Sequence, residues 1–235
     1  MAGKGLRLLD AGFEKPKPLV EIKNKTIMKW SIDSLNLEGN FIFCTKQEHI
    51  DKYKIDLKLK EIIYDSKIVS ISHDTRGTTD TILHARHLID NNEELIITDA
   101  DHFIEWDNEF FTENIRKRNI DGCTFVYPEP TKNENYSFVK LDDDGFVTES
   151  AEKKAISSTA TVGLHYFKRG SDFVKYADEM IKRDISINNE FYVSPVFNIF
   201  VENNKKITTM PVKKMWPLGN KNEIDFFLKN YNSEN

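Results

Sequence analysis

Leu95-Ile96-Ile97-Thr98 is an apolar run that passes without interruption into Asp99-Ala100-Asp101-His102. A continuous apolar run of this length suits a strand covered on both faces, as in sheets flanked by helices. In open α/β sheets, ligands bind beyond the carboxyl ends of the strands, and two carboxylates stand at that end here. If the strand conformation continues, Asp99 and Asp101 point to the same side. Such a pair suits Mg²⁺, a hard cation that takes oxygen ligands and shares them with substrate phosphates. The competing reading is a solvated loop in which the two acids are caps or turn formers.

The rest of the chain supplies the alternation that such a strand needs. Strands are expected at 19–22, 40–45, 67–72 and 94–98, with helices at 26–36, 47–61 and 78–90 between them. Strands alternating with helices indicate an α/β protein with a largely parallel sheet. The second half has a different character. A helix at 109–118 and an extended stretch at 121–127 precede Asp142-Asp143-Asp144-Gly145, flanked by extended runs at 136–141 and 146–149. This is a strong hairpin signal. An extended run at 159–168, helices at 170–183 and 191–203, a strand at 206–213 and a helix at 220–230 complete the pattern. No repeat, linker or low-complexity tract interrupts it, so residues 1–235 read as a single domain.

Charge and composition exclude several classes. The net charge of −5 disfavours general binding to nucleic acid or to membrane surfaces. No apolar run is long enough to span a membrane, and no secretory leader pattern opens the chain. Cys44 and Cys123 each lie in a strand-like run and read as reduced, buried thiols, which places the protein in the cytoplasm. His84 and His87 share a helix face at i, i+3, but nothing is placed to complete a zinc site around them.

The first eighteen residues carry the second signal. Gly3 and Gly5 form a tight pair, Arg7 follows, and Lys15-Pro16-Lys17-Pro18 leads into Leu19. Over this stretch Lys4, Arg7, Lys15 and Lys17 outnumber Asp10 and Glu14, a local positive balance in an acidic chain. Glycine lets backbone N–H groups approach a ligand closely, and successive N–H groups turned inward make an anion cradle. Neither the P-loop spacing nor the G-x-G-x-x-G dinucleotide spacing is met, since Leu8 stands at the third glycine position. The alternative is a surface turn. A third feature is Arg76-Gly77-Thr78-Thr79-Asp80-Thr81. Here a glycine opens a helix whose free N–H groups favour anions, and Thr78 or Asp80 is equally suited to be a plain cap.

Gly-x-Gly-x-Arg, the Pro-Lys-Pro-Leu string and the Asp-x-Asp strand end together resemble the nucleotidyltransferases that join an NTP to a sugar 1-phosphate or a similar phosphoester. The resemblance extends over nearly the whole chain. It implies a Rossmann-like mixed sheet of glycosyltransferase-A type, with a β-hairpin inserted in the acceptor-binding half. Residues 1–107 would be the nucleotide-binding half and 108–235 the acceptor-binding half. Mg²⁺ is the implied cofactor, and an NTP and a small phosphorylated acceptor are the implied partners. Arg7, Lys17 and Asp101 would be catalytic. Ala2, Gly3, Lys4 and Gly5 would bind the triphosphate, Gly77 and Thr78 the base. Asp101 is the best match to the family's metal ligand, with Asp99 beside it as a second ligand or supporting group. Lys153 would hold the acceptor phosphate, Gly163 would make room for the acceptor, and Glu190 would bind its hydroxyls. Solvated Lys153 and a helix N-terminal role for Glu190 are the competing readings of those two.

The chain departs from the family in three places. An Asn that relatives commonly carry near Ser158 is absent, which leaves the acceptor's identity open. Many relatives carry a metal-binding Asp in the stretch matching Met215–Asn220, and none is present here, leaving Asp99, water or substrate oxygens for that position. The family's glycine loop is launched from a buried strand, whereas Met1 stands where that strand would end. The resemblance therefore implies a strand of about five residues upstream, in a longer gene product, or else weak activity of the present chain. A phosphocholine-type cytidylyltransferase, a glycosyltransferase using a nucleotide sugar, and a nucleotide-binding protein without turnover are the alternative functions.

Overall fold

In the computed structural model, Leu8 and residues 12–231 are described. The described elements in chain order begin with strands β1 (Glu21–Ile22) and β2 (Lys25–Thr26), helix α1 (Ile27–Leu35), β3 (Ile42–Lys46), α2 (Gln47–Tyr53), α3 (Ile55–Ile62) and β4 (Lys67–Ile71). Then come α4 (Thr78–Leu83), α5 (Arg86–Ile89), β5 (Leu95–Thr98), β6 (His102–Glu105), α6 (Asn108–Phe111) and β7 (Gly122–Pro128). The chain finishes with β8 (Ser137–Leu141), β9 (Val147–Glu152), β10 (Thr159–Phe167), α7 (Gly170–Lys182), α8 (Val196–Glu202), β11 (Ile207–Pro211), β12 (Lys214–Pro217) and α9 (Lys221–Asn230). These elements form two compact units. The first comprises Met1–Asp74, Asp99–Glu105 and Lys214–Asn235; the second comprises Thr75–Thr98 and Trp106–Lys213.

In the first unit, α1 organises the core. Thr26 caps it by accepting a hydrogen bond from the Lys29 N–H at 3.1 Å, and Asn36 ends it in the left-handed conformation. Trp30 donates its indole N–H to the Ile22 carbonyl at 2.9 Å and packs with Ile27, Trp216, Leu218 and Phe227. On another side of the helix, Met28 and Ile32 meet Leu19, Phe43, Ile55 and Leu59. Strands β3 and β4 pair in parallel, Ile42 opposite Lys67. The helix expected over 47–61 is two helices, broken at Lys54 with φ 53° and ψ 41°. The spacing of Ile50 and Ile55 explains the break, because positions five apart do not share a helix face. The left-handed residue re-phases the chain so that Ile55 and Leu59 are both fully buried.

The second unit is built on a mixed sheet of order β11-β7-β10-β8-β9, with β5 also paired to β10. Only β11 and β7 run parallel within it; β5–β10, β10–β7, β10–β8 and β8–β9 are antiparallel. The apolar strand that reads as a parallel core strand thus pairs antiparallel, Leu95 opposite Phe167. Ile97 is buried while Leu95, Ile96 and Thr98 are partly buried, and the apolar run does not encode strand direction. The hairpin β8–β9 stands where Asp142-Asp143-Asp144-Gly145 predicts it. Phe167, Phe173, Phe197 and Phe200 form the aromatic centre, with the Phe167 and Phe197 rings stacked at 5.2 Å. Three further expected helices depart from their patterns. The 78–90 helix is interrupted at His84-Ala85, the 109–118 helix passes from α6 into a π-helical turn at Thr112–Arg116, and the 191–203 helix starts only at Val196, after Pro195. Among the described residues no helix is long and apolar enough to cross a membrane.

Candidate functional site

The Pro16-Lys17-Pro18-Leu19 string forms a single 3₁₀ turn at Lys17–Leu19, closed by the Leu19 N–H donating to the Pro16 carbonyl at 2.8 Å. Proline fixes φ near the value this turn needs, and Pro16, Pro18 and Leu19 are all buried. Lys17 is therefore the residue in this string that the turn leaves partly exposed, with its backbone pinned on both sides. Its ammonium forms an ion pair and hydrogen bond with Asp101 Oδ2.

Asp101 comes to this position through a turn. The strand ends at Thr98, residues 99–101 turn, and β6 begins at His102. Asp99 and Asp101 still converge, joined by His102. His102 Nδ1 lies 4.0 Å from Asp99 Oδ2, and Nε2 lies 3.8 Å from Asp101 Oδ1. One ligand atom from each of the three lies within 4.8 Å of the others, close enough to hold one cation. The turn is held from below. The Leu218 N–H donates to the Asp101 carbonyl at 2.8 Å, β6 pairs with β12, and Ser31 donates to the His102 carbonyl at 2.7 Å.

Gly219 leaves the space beside this cluster open. A Cβ there would lie 3.0 Å from Asp101 Oδ2, 3.1 Å from Glu223 Oε2 and 3.5 Å from Lys17 Nζ. The cluster thus offers two carboxylates and an imidazole beside a gap bounded by charged atoms, and this donor set fits a divalent cation such as Mg²⁺. Glu223 is itself fixed in a capping box. Its carboxylate accepts from the Gly219 N–H at 2.7 Å and the Asn220 N–H at 3.1 Å, while Asn220 Oδ1 accepts from the Glu223 N–H at 3.1 Å. Burial alone would raise the Asp101 carboxyl, but His102 and the Lys17 ammonium outweigh it and hold the group at about 2. Asp99 moves the other way: burial and the neighbouring Asp101 charge raise it, against the pull of His102 and Lys17.

The second unit gathers the residues expected to meet base and acceptor. Gly77 precedes α4 with φ 98°, a conformation that favours glycine. A Cβ on it would meet the backbone N and O of Phe191 at 2.7 Å and the Glu190 Cβ at 3.1 Å. Thr78 is the first residue of α4, and Asp80 turns back to accept from the Arg76 N–H at 2.7 Å. Lys153 follows β9 in the left-handed region, φ 52°, and donates to the Tyr192 hydroxyl, which in turn donates to Glu190. Its ammonium also lies 4.5 Å from the centre of the Tyr192 ring. Gly163 has φ 69° and sits where the β10–β7 register shifts between Thr161 and His165. A bulge of this kind re-aims neighbouring side chains.

The structure thus joins Lys17 with Asp101 and Asp99, and Gly77 with Glu190. It links Lys153 to Glu190 through Tyr192 and places Gly163 on a bulge of the same unit's sheet. Ala2, Gly3, Lys4, Gly5 and Arg7 lie outside the described residues. His102, Gly219, Glu223 and Tyr192 belong to these clusters without having been singled out from sequence. His102 and Tyr192 each adjoin or lie near a residue that had been, Asp101 and Glu190. Glu223 carries the Asn-x-x-Glu signature of a capping box, which reads as helix chemistry rather than as part of a charged centre.

Comparison with known proteins agrees with this assembly. The crystal structure of a nucleoside-diphosphate-sugar pyrophosphorylase from Vibrio cholerae RC9 matches with a TM-score of 0.83 at 21% identity, covering 98% of each chain. That of a UDP-glucose pyrophosphorylase complexed with UDP-glucose matches with a TM-score of 0.74 at 17% identity, covering 98% of this chain and 97% of the other. At these identities the likeness shows the fold, a Rossmann-like mixed α/β sheet. A curated relative, mannose-1-phosphate guanylyltransferase catalytic subunit beta of Drosophila pseudoobscura pseudoobscura, is 24% identical over 178 residues, 71% of this chain. The chain spans 46% of that relative's length. The nucleotidyl transferase family matches residues 1–222, and the chain belongs to that family.

Proposed function

We propose that this chain, acting as one nucleotidyltransferase domain, transfers a nucleotidyl group from an NTP to a phosphorylated small-molecule acceptor. An acceptor phosphate oxygen attacks the α-phosphorus, and pyrophosphate leaves. The observation that carries this reading is the Lys17–Asp101 pair set beside Asp99 and His102. Phosphoryl chemistry of this kind depends on positioning and on neutralising charge more than on a protein nucleophile. Lys17 supplies a cation to offset charge on the α-phosphate, and its pinned turn keeps the ammonium in place. Asp101 and Asp99, with His102 alongside, would hold Mg²⁺. When bound, that ion neutralises phosphate charge and orients the triphosphate. Arg7 and the Ala2–Gly5 backbone are assigned to the β- and γ-phosphates, and Gly77 and Thr78 to the base. Lys153 is assigned to the acceptor phosphate and Glu190 to its hydroxyls, with Gly163 leaving room.

For the acceptor we favour a sugar 1-phosphate, with a nucleotide sugar for surface polysaccharide as product and the cytoplasm as its place of action. The names of the relatives support this choice, since each refers to a sugar nucleotide or a sugar phosphate. The test is a matrix of four NTPs against sugar 1-phosphates and phosphocholine, scored by pyrophosphate release. Release with one sugar 1-phosphate and one preferred NTP is the expected result. Release with phosphocholine alone would move the acceptor to a non-sugar phosphoester. No release from any pair would overturn the reading.

A further inference from the structure

Two loops of the second unit, 76–79 and 187–192, are joined by a set of contacts centred on a residue with no assigned role. The Phe191 N–H donates to the Arg76 carbonyl at 2.6 Å, and the Thr79 N–H donates to the Phe191 carbonyl at 2.9 Å. Phe191 is buried, and its backbone fills the space that a side chain on Gly77 would need. The Arg76 side chain then closes over the junction. Its guanidinium lies 4.4 Å from the Phe191 ring centre, and Nη2 donates to Asn189 Oδ1 at 2.7 Å and to Asp184 Oδ1 at 3.0 Å. Asn188 and Asn189 are both left-handed, with φ 53° and 62°, which turns the chain back toward Arg76. An isolated bridge between Ile187 and Glu190 tightens the same loop.

We infer that Arg76 is a positioning residue that latches the base-side loop to the acceptor-side loop, so that Gly77–Thr78 and Glu190–Tyr192 are ordered together. A planar fork suits the task, because one guanidinium can stack on a ring and donate to two acceptors at once. A lysine in its place keeps the charge and loses that geometry. The inference rests on the proposed function for what the loops bind, but the latch itself does not depend on it. Loosening the junction releases Glu190 together with Gly77 and Thr78. An NTP and an acceptor then each bind to a loop that must be ordered first, at a cost to both.

The test compares the wild-type chain with Arg76→Ala, Arg76→Lys and Asn189→Gly, the last keeping the left-handed backbone while removing the side-chain acceptor. Amide hydrogen exchange, measured without ligand, should quicken by about tenfold or more at both Thr79 and Phe191 in Arg76→Ala, with β10 unchanged. Arg76→Lys should resemble the alanine variant, and Asn189→Gly should show a smaller effect of the same pattern. In steady-state assays KM for NTP and for acceptor should rise together, several-fold, with kcat changed less. Faster exchange in one loop alone, full rescue by lysine, or a change in only one KM would overturn the latch. Should Arg76→Ala fail to fold, Asn189→Gly decides by the same exchange criterion. A wild-type chain that releases no pyrophosphate would count against nucleotidyl transfer, and the exchange comparison would still decide the latch.

Discussion

In the proposed reaction, chemistry turns on the paired Lys17 and Asp101. Charged hydrogen bonds are worth roughly 1.5–3 kcal/mol each, so Lys17→Ala should slow pyrophosphate release by about tenfold or more at saturating substrate. Gly219→Ala tests the open space beside the pair. The added methyl would meet Asp101 Oδ2 and Glu223 Oε2 at 3.0 and 3.1 Å. Weaker Mn²⁺ binding in a direct titration is expected, with the fold retained. Unchanged affinity would show that the space plays no part in the cation site. His165 supplies a pH prediction. It is buried against Phe197, contacts the Thr124 hydroxyl at 3.0 Å, and burial holds its pKa down at about 3 from 6.5. Between those values the unfolded chain binds a proton that the folded chain does not. Stability should therefore fall as pH drops below about 6.5, by up to about 1.4 kcal/mol per pH unit. Denaturant titrations of His165→Gln should show a shallower acid slope than wild type.

At this scale the sequence was legible where spacing carried chemistry. Asp-x-Asp after an apolar strand and Lys17 between two prolines mark residues that the structure brings together. His102 could not be singled out, because a histidine opening a short strand has no pattern of its own. Glu223 lies over a hundred residues from Asp101, and only the fold shows that both face Gly219.

The elements owe their boundaries to local chemistry that hydrophobic periodicity does not record. α9 begins at a capping box, so Asn220→Ala should cost about 1 kcal/mol, read as a lower midpoint in urea denaturation. Because the same box fixes Glu223 beside Gly219, this variant should also weaken Mn²⁺ binding slightly. Gly77 sets the start of α4, and its φ of 98° and its contact with the Phe191 backbone leave no room for a side chain. Gly77→Ala should therefore be destabilising and should quicken exchange at Phe191. Long, strongly patterned elements such as α1, α7, β7, β10 and the β8–β9 hairpin were legible. The 47–61 helix was not, since its five-residue step at Ile50–Ile55 needs a left-handed residue that a pattern of apolar stations passes over. Strands β6 and β12 span four residues each and pair with one another, too short for alternation to show.

At the scale of the whole molecule, alternating strands and helices identified an α/β protein, and three motifs at their spacings led to the nucleotidyl transferase family. Strand direction was not legible, because a buried strand reads the same whether its neighbour runs parallel or antiparallel. The division into two interleaved compact units was equally hidden, since it depends on contacts between segments remote in sequence. In the proposed reaction an NTP is broken between its α- and β-phosphates. The most direct measurement follows pyrophosphate and nucleoside diphosphate together, during reaction of the wild-type chain with an NTP, Mg²⁺ and a sugar 1-phosphate. Pyrophosphate appearing in step with a nucleotide sugar, without nucleoside diphosphate, and falling by about tenfold or more in Lys17→Ala, is the predicted result. Absence of pyrophosphate from every NTP, or an unchanged rate in Lys17→Ala, would contradict it.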